Sequence, residues 1–257
     1  DPIAALEWSK TRDPFLEQDL VSEAMLSGWA SVHPQAALTW ARENENRRDK
    51  EQKRGNDLLI GVIKGMAETN LAGATELMKE LNYGLYLDKA ASTLVTAAWA
   101  KGEQTAIDWV EKFPEGKARN SAYEALGKRL IREDLNRAVE WVDSMDESKI
   151  KTKIARETAK AMVILSPKKA ADWVARMPVG EARSASMERV VSEWVEQDPA
   201  ATAEWLNQFP NDQSIDGALA IFAHEVAEKQ PQSALQWAQS IEDSERRERV
   251  IQYVKNK

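Results

Sequence analysis

The stretch WVEQDPAATAEWLNQFP, residues 194–210, holds the features that decide the fold. Asp198-Pro199 reads as a helix start, because an aspartate side chain accepts from the free amides of a first turn and a proline there has no amide to leave unpaired. Thr202, Trp205, Leu206 and Phe209 then recur at the i, i+3, i+4, i+7 spacing of one helical face. Pro210 disfavours helical geometry in the residue before it and closes the element after about ten residues.

The same pattern extends outward from this segment in both directions. Trp109, Trp141, Trp173, Trp205 and Trp237 follow one another at steps of 32, Trp8 and Trp40 are also 32 apart, and Leu77 fills the place 32 before Trp109. The one longer step, 37 residues from Trp40 to Leu77, reflects five extra residues in or beside the charged segment ARENENRRDKEQKRGND, 41–57. Taking each unit to begin seven residues before its anchor places the starts at Asp1, His33, Asn70, Gly102, Asp134, Ser166, Asp198 and Gln230. Eight units then account for all 257 residues as a single helical-repeat domain. The start on a unit boundary without an initiator methionine leads us to expect a piece of a longer protein.

Five units open with a residue followed by proline: Pro2, Pro34, Pro167, Pro199 and Pro231. After a turn that often contains Gly or Asn (Gly116, Gly180, Asn211), a second apolar series appears about 13, 17 and 21 residues beyond the anchor, as in Ala122, Leu126 and Leu130 or Ala218, Phe222 and Val226. Each unit is therefore expected to be a short helix of about ten residues, a turn, and a longer helix of about fourteen, with no strand. One such pair cannot bury its own apolar stripe, but stacked pairs share a core. The fold class expected is an all-α superhelix, an α-solenoid of about eight helix-turn-helix units.

On these residues the chain resembles the helical-hairpin repeats of the tetratricopeptide-like and HEAT-like classes. The segment 194–210 is also similar to tryptophan-rich repeats of uncharacterised bacterial proteins with the form W-A-x-x-D-P-x-x-A-x-x-W-x-x-x-x-P. The period is 32 rather than 34, and the W-x-x-L-G-x-x-Y signature of tetratricopeptide repeats is absent from the longer helices, so no peptide-binding positions carry over. The resemblance implies a scaffold or binding surface.

Composition narrows the function classes. The absence of cysteine removes disulfides, thiolate metal sites and a cysteine nucleophile, and His33 and His224 are the only imidazoles. A net charge of -7 argues against a dedicated nucleic-acid binder. No run of apolar residues is long enough to span a membrane. The lack of cysteine fits an exported or periplasmic chain, which we favour over a cytoplasmic one.

The anchors sit at the centre of the apolar stripe, flanked by small residues such as Ala106 and Ala138, and are expected in the core rather than as platforms for a ligand. Trp29, Trp99 and Trp194, near the ends of the longer helices, are expected to pack likewise. An acidic residue immediately precedes the anchor in six units, and Asp108, Glu140, Asp172 and Glu204 are the binding candidates, a row that a basic partner can read. The competing reading is a set of solvated pairs: Glu7 with Lys10, Glu76 with Lys79, Asp108 with Lys112, Asp172 with Arg176. Ten residues after the anchor stand Arg119, Lys151, Arg183 and Arg247, where a cation opposes the helix dipole and needs compensation from carbonyls, an acid, an aromatic face or an anionic ligand.

No catalytic, metal or cofactor site is expected. His224 opens HEVAE, which lacks the second histidine of a zinc helix. Ser148 to Lys151 and Ser166 to Lys169 fit S-x-x-K without the companion motifs of an acylase, and both lie beside helix starts. The charged run 42–57 reads as a solvated loop or helix extension with room for a partner contact. The function expected is a non-enzymatic scaffold or a protein- or peptide-binding module. The rivals are an enzyme-associated domain holding a glycan or nucleic acid, and a spacer of a larger envelope protein.

Overall fold

A computed structural model describes residues 1–9, 17–52, 57–81, 84–209 and 212–257. All regular structure among them is helical. Sixteen α-helices follow in chain order: α1 (Pro2–Ser9), α2 (Glu17–Val32), α3 (Pro34–Gln52), α4 (Asp57–Ala67), α5 (Leu71–Lys79), α6 (Gly84–Trp99), α7 (Glu103–Glu111), α8 (Lys117–Glu133), α9 (Leu135–Ser144), α10 (Lys149–Leu165), α11 (Pro167–Arg176), α12 (Glu181–Gln197), α13 (Pro199–Leu206), α14 (Asp216–Val226), α15 (Pro231–Gln239) and α16 (Ser244–Lys255). A 3₁₀ turn, Gln213–Ile215, precedes α14.

The starts follow from local chemistry. Pro2, Pro34, Pro167, Pro199 and Pro231 are each the first residue of a helix. Asp134 accepts from the amides of Asn136 and Arg137, Ser166 from Lys169, and Asp198 from Ala201, so orphan donors of the first turn are satisfied by the residue before it. Ser148 does the same for Lys151, which accounts for both S-x-x-K matches as helix caps. Pro114 and Pro178 lie just past the ends of α7 and α11, whereas Pro210 and Asn211 fall outside the described residues. The extra residues between Trp40 and Leu77 lengthen α3, which continues as helix to Gln52.

The chain forms two compact units, residues 1–126 and 127–257. In the first, α2, α4 and α6 pack in succession as one layer, while α3 and α5 each lie on the two helices that flank them in sequence. Gly61 and Gly65 of α4 make the first of these contacts close. A Cβ on Gly65 would stand 2.2 Å from the Ser27 carbonyl oxygen, and one on Gly61 2.8 Å from Leu26 Cβ. In the second unit α10, α12, α14 and α16 form the corresponding layer, with α11, α13 and α15 bridging consecutive members.

The anchors supply the seams. Trp40, Leu77, Trp141, Trp173 and Trp205 are buried and Trp109 and Trp237 half-buried. Two indole N–H groups find acceptors one period back: Trp109 Nε1 donates to Thr75 Oγ1 at 2.9 Å and Trp173 Nε1 to Asp143 Oδ1 at 3.0 Å. An indole N–H withdrawn from water needs such a partner, and these two bonds tie α7 to α5 and α11 to α9. Trp8 departs from the expectation and is 52% exposed, on a helix that packs chiefly on α2. Trp29 and Trp194 lie against Trp40 and Trp205 with ring centroids 6.4 and 6.2 Å apart, and Trp99 is half-buried, as packing residues.

Candidate functional site

On the helices from α3 onward that carry an anchor, the stripe holding it is turned inward, so the position before the anchor is turned out. Asp108, Glu140, Asp172 and Glu204 are all exposed. Asp108 accepts from Gln104 Nε2 at 2.7 Å rather than pairing with Lys112, and Glu140 accepts from Arg137 Nη1. Asp172 and Glu204 have no hydrogen bond or ion pair among the described residues, Arg176 included. The pair Glu76–Lys79 forms at 2.8 Å, while Lys10, the expected partner of Glu7, lies outside the described residues. Two of the four carboxylates are thus locally engaged and two are free.

The cations ten residues past the anchor are engaged by the fold. Lys151 Nζ donates to the Met145 carbonyl at 2.6 Å and Arg247 Nη1 to the Ile241 carbonyl at 2.7 Å. Each of these acceptors stands four residues past its anchor, so the cation neutralises the negative end of the short helix just before it. Arg183, 5% exposed, instead reaches Asp212 Oδ2 and Ser214 Oγ, both at 3.1 Å, and stands over the Phe209 ring. Burial favours the neutral acid at Asp212. Hydrogen bonds from the Ser214 hydroxyl and amide and the charge of Arg183 outweigh it and hold the carboxyl below its ordinary value. Arg119 lies over the Tyr123 ring at 5.1 Å and 3.9 Å from Glu115.

The feature that sequence reasoning missed lies on the longer helices. Lys64, Ala67 and Glu68 at the end of α4 and Ser92, Thr93, Thr96, Ala97, Ala100 and Lys101 along and beyond α6 line a groove of about 520 Å³. Thr93 Oγ1 and Thr96 Oγ1 donate to carbonyls one turn back, those of Lys89 and Ser92. Their hydrogens are thereby spent inside the helix, and the lone pairs that remain act as acceptors. At one edge Glu23, its side chain 13% exposed, is held between Lys64 at 3.6 Å and Lys89. Lys101 has no ion pair among the described residues. The groove therefore offers acceptors along one wall, ammonium donors at its margins, and apolar alanines between. The only sequence signal for it was a run of small and hydroxyl residues where other units carry charge.

Among the described residues no group of three His, Asp or Glu side chains is placed to hold a metal ion, and no helix is long and apolar enough to cross a membrane. The His224 ring packs on Tyr253 with centroids 4.2 Å apart, and burial lowers its pKa against a smaller opposing effect from Glu225. No protein-family model, no curated protein and no solved structure matches the chain. The class is accordingly defined by the fold alone: an all-α protein whose helices pack against their neighbours in sequence.

Proposed function

We infer that the chain is an α-solenoid of about eight helix-turn-helix units, akin to tetratricopeptide-like and HEAT-like arrays, and that it works as a non-enzymatic scaffold binding an extended segment of another protein. The groove between α4 and α6 carries this reading. Its volume falls in the range of ligand-sized clefts, roughly 300–1,000 Å³. An extended backbone brings N–H groups to the hydroxyl oxygens of Thr93 and Thr96 and carbonyl oxygens to Lys64 and Lys101, and its small side chains fit over Ala97 and Ala100. The outward carboxylates Glu140, Asp172 and Glu204 of the second unit serve as a second contact row for a basic partner, with Asp172 and Glu204 the more available pair, and Asp108 offers the same contact on the first unit.

A peptide array screened with wild-type protein, Thr96→Trp, and the double variant Asp172→Lys/Glu204→Lys tests both parts. Thr96 is exposed and its side chain is not needed by the core, so the indole fills the groove without unfolding the helix. Peptides retained by wild type and lost by Thr96→Trp support the groove, and basic peptides lost by the double variant support the second row. If the array retains nothing, or retains the same peptides with all three proteins, the reading fails.

A further inference from the structure

The long-helix layer of the second unit presents a surface of different chemistry. Lys149, Lys153, Arg156, Lys160 and Ile164 of α10 are all exposed, and at 3.6 residues per turn they fall within about 80° of the helix circumference. The buried residues of the same helix, Lys151, Ile154, Ala155, Thr158, Ala159 and Val163, occupy the other side. Four cations thus form a straight line along the outward face, with Glu157 at its flank. Lys149, Arg156 and Lys160 make no ion pair among the described residues. α8 comes close to α10 where a Cβ on Gly127 would stand 3.0 Å from Ile154 Cγ2. Lys128, one period before Lys160, is exposed there as well. At the far end stand Ile164 and Leu165, 64% and 76% exposed.

The charges of Lys149, Arg156 and Lys160 find no ion-pair partner in the fold among the described residues. Their mutual repulsion costs stability, and two exposed aliphatic side chains at a helix end contribute nothing to the core. We propose that the outward face of α10, Lys149, Lys153, Arg156 and Lys160 ending on Ile164, with the exposed Leu165 about 100° round the helix from it, docks an acidic segment of a partner protein that carries a large apolar residue at one end of its carboxylate run. Charge complementarity selects an acidic occupant. A phosphate polymer fits less well for two reasons. One period on, Lys149 and Arg156 are matched by Glu181 and Glu188 of α12, Lys153 and Lys160 by Ala185 and Ser192, and Ile164 by Glu196, so the positive strip does not continue onto α12, whose axis lies about 10 Å away at the spacing of packed helices. Ile164 and Leu165 also need an apolar anchor, which a nucleic-acid backbone lacks and a peptide supplies.

This surface goes beyond the groove of the first unit and is tested separately from it. Fluorescence anisotropy of the whole chain is read with labelled peptides of six glutamates followed by two leucines, and of two leucines followed by six glutamates. A labelled oligothymidylate and phosphatidylserine vesicles are run beside them. One of the two peptides is expected to bind, and Lys149→Glu/Arg156→Glu/Lys160→Glu to weaken it at least about tenfold, whereas replacing the same lysines by Arg keeps it. Ile164→Ser/Leu165→Ser is expected to weaken it about threefold to tenfold at both about 50 mM and about 300 mM salt, since an apolar contact is not screened. Thr96→Trp leaves it unchanged. Thermal melts confirm that each variant is folded. Affinity within twofold of wild type for the triple reversal, failure of both peptides to bind, or tighter binding of the oligonucleotide or vesicles than of either peptide overturns the proposal.

Discussion

Glu147 Oε1 accepts the backbone amide of Ala182 at 2.9 Å, thirty-five residues further on. The carboxylate stands in the turn between α9 and α10 and caps the first turn of α12, whose preceding residue, Gly180, has no side chain to do so. Asp216 acts in the same way two turn regions later: 2% exposed, it accepts the amides of Glu242 at 2.9 Å and Asp243 at 2.8 Å. Between them Arg183 reaches forward to Asp212. Three successive junctions of the second unit are thus closed by a side chain acting on its neighbour, each with a different donor and acceptor.

Removal of these acceptors leaves amides unpaired. Glu147→Ala is expected to cost about 1–2 kcal/mol and Asp216→Ala about 2–3 kcal/mol, because Asp216 is the more buried and satisfies two donors. Asp216→Asn keeps one acceptor oxygen and should fall between wild type and alanine. Urea unfolding of the four proteins checks the order, and an Asp216→Ala variant as stable as wild type would show that the junction is solvated instead.

The anchors should differ by position. Trp141→Ala removes an indole that is 5% exposed and should cost roughly 3–5 kcal/mol, the range for a large buried aromatic. Trp8→Ala, at 52% exposure, should cost less than about 1 kcal/mol. Thermal midpoints of the pair give the comparison.

Two glycines of the first unit should respond in opposite senses. Gly65→Ala drives a methyl group to within 2.2 Å of the Ser27 carbonyl oxygen, so α2 and α4 must separate, at about 1–3 kcal/mol. A Cβ on Gly28 of α2 meets nothing within 4 Å, and Gly28→Ala should stabilise by up to about 1 kcal/mol through helix propensity. Denaturant midpoints with unchanged slope would establish both.

His224 makes part of the stability depend on pH. Burial places its folded-state pKa below the ordinary 6.5, so the unfolded chain takes up the proton first as pH falls. The contribution of the neutral ring is complete above about pH 6.5 and is lost as pH drops from there toward the folded value. Wild type should therefore lose more melting temperature between about pH 7.5 and pH 5.5 than His224→Gln. Equal losses would place the ring in effectively aqueous surroundings.

The sequence by itself determined what depends on local and periodic order. The Pro2, Pro34, Pro167, Pro199 and Pro231 starts, the Asp134, Ser166 and Asp198 caps, and the inward stripe of each short helix follow from backbone chemistry within one turn and from the 3.6-residue repeat. The period of 32 was legible because tryptophan is rare and its spacing conspicuous. The outward position of Asp108, Glu140, Asp172 and Glu204 was legible for the same reason, since a residue beside a buried stripe faces away from it. Tertiary structure alone decided which side chains about thirty residues apart meet. Gly61 and Gly65 read in sequence as weak helix residues, and only the facing backbone of α2 gives them a purpose. Glu147, Asp212 and Asp216 stand among ordinary charges in the string and differ from the rest only because an amide or guanidinium of the next segment stops within hydrogen-bond reach. The groove of α4 and α6 and the cationic line of α10 likewise required the packing, because a surface is defined by what the neighbouring helices leave uncovered.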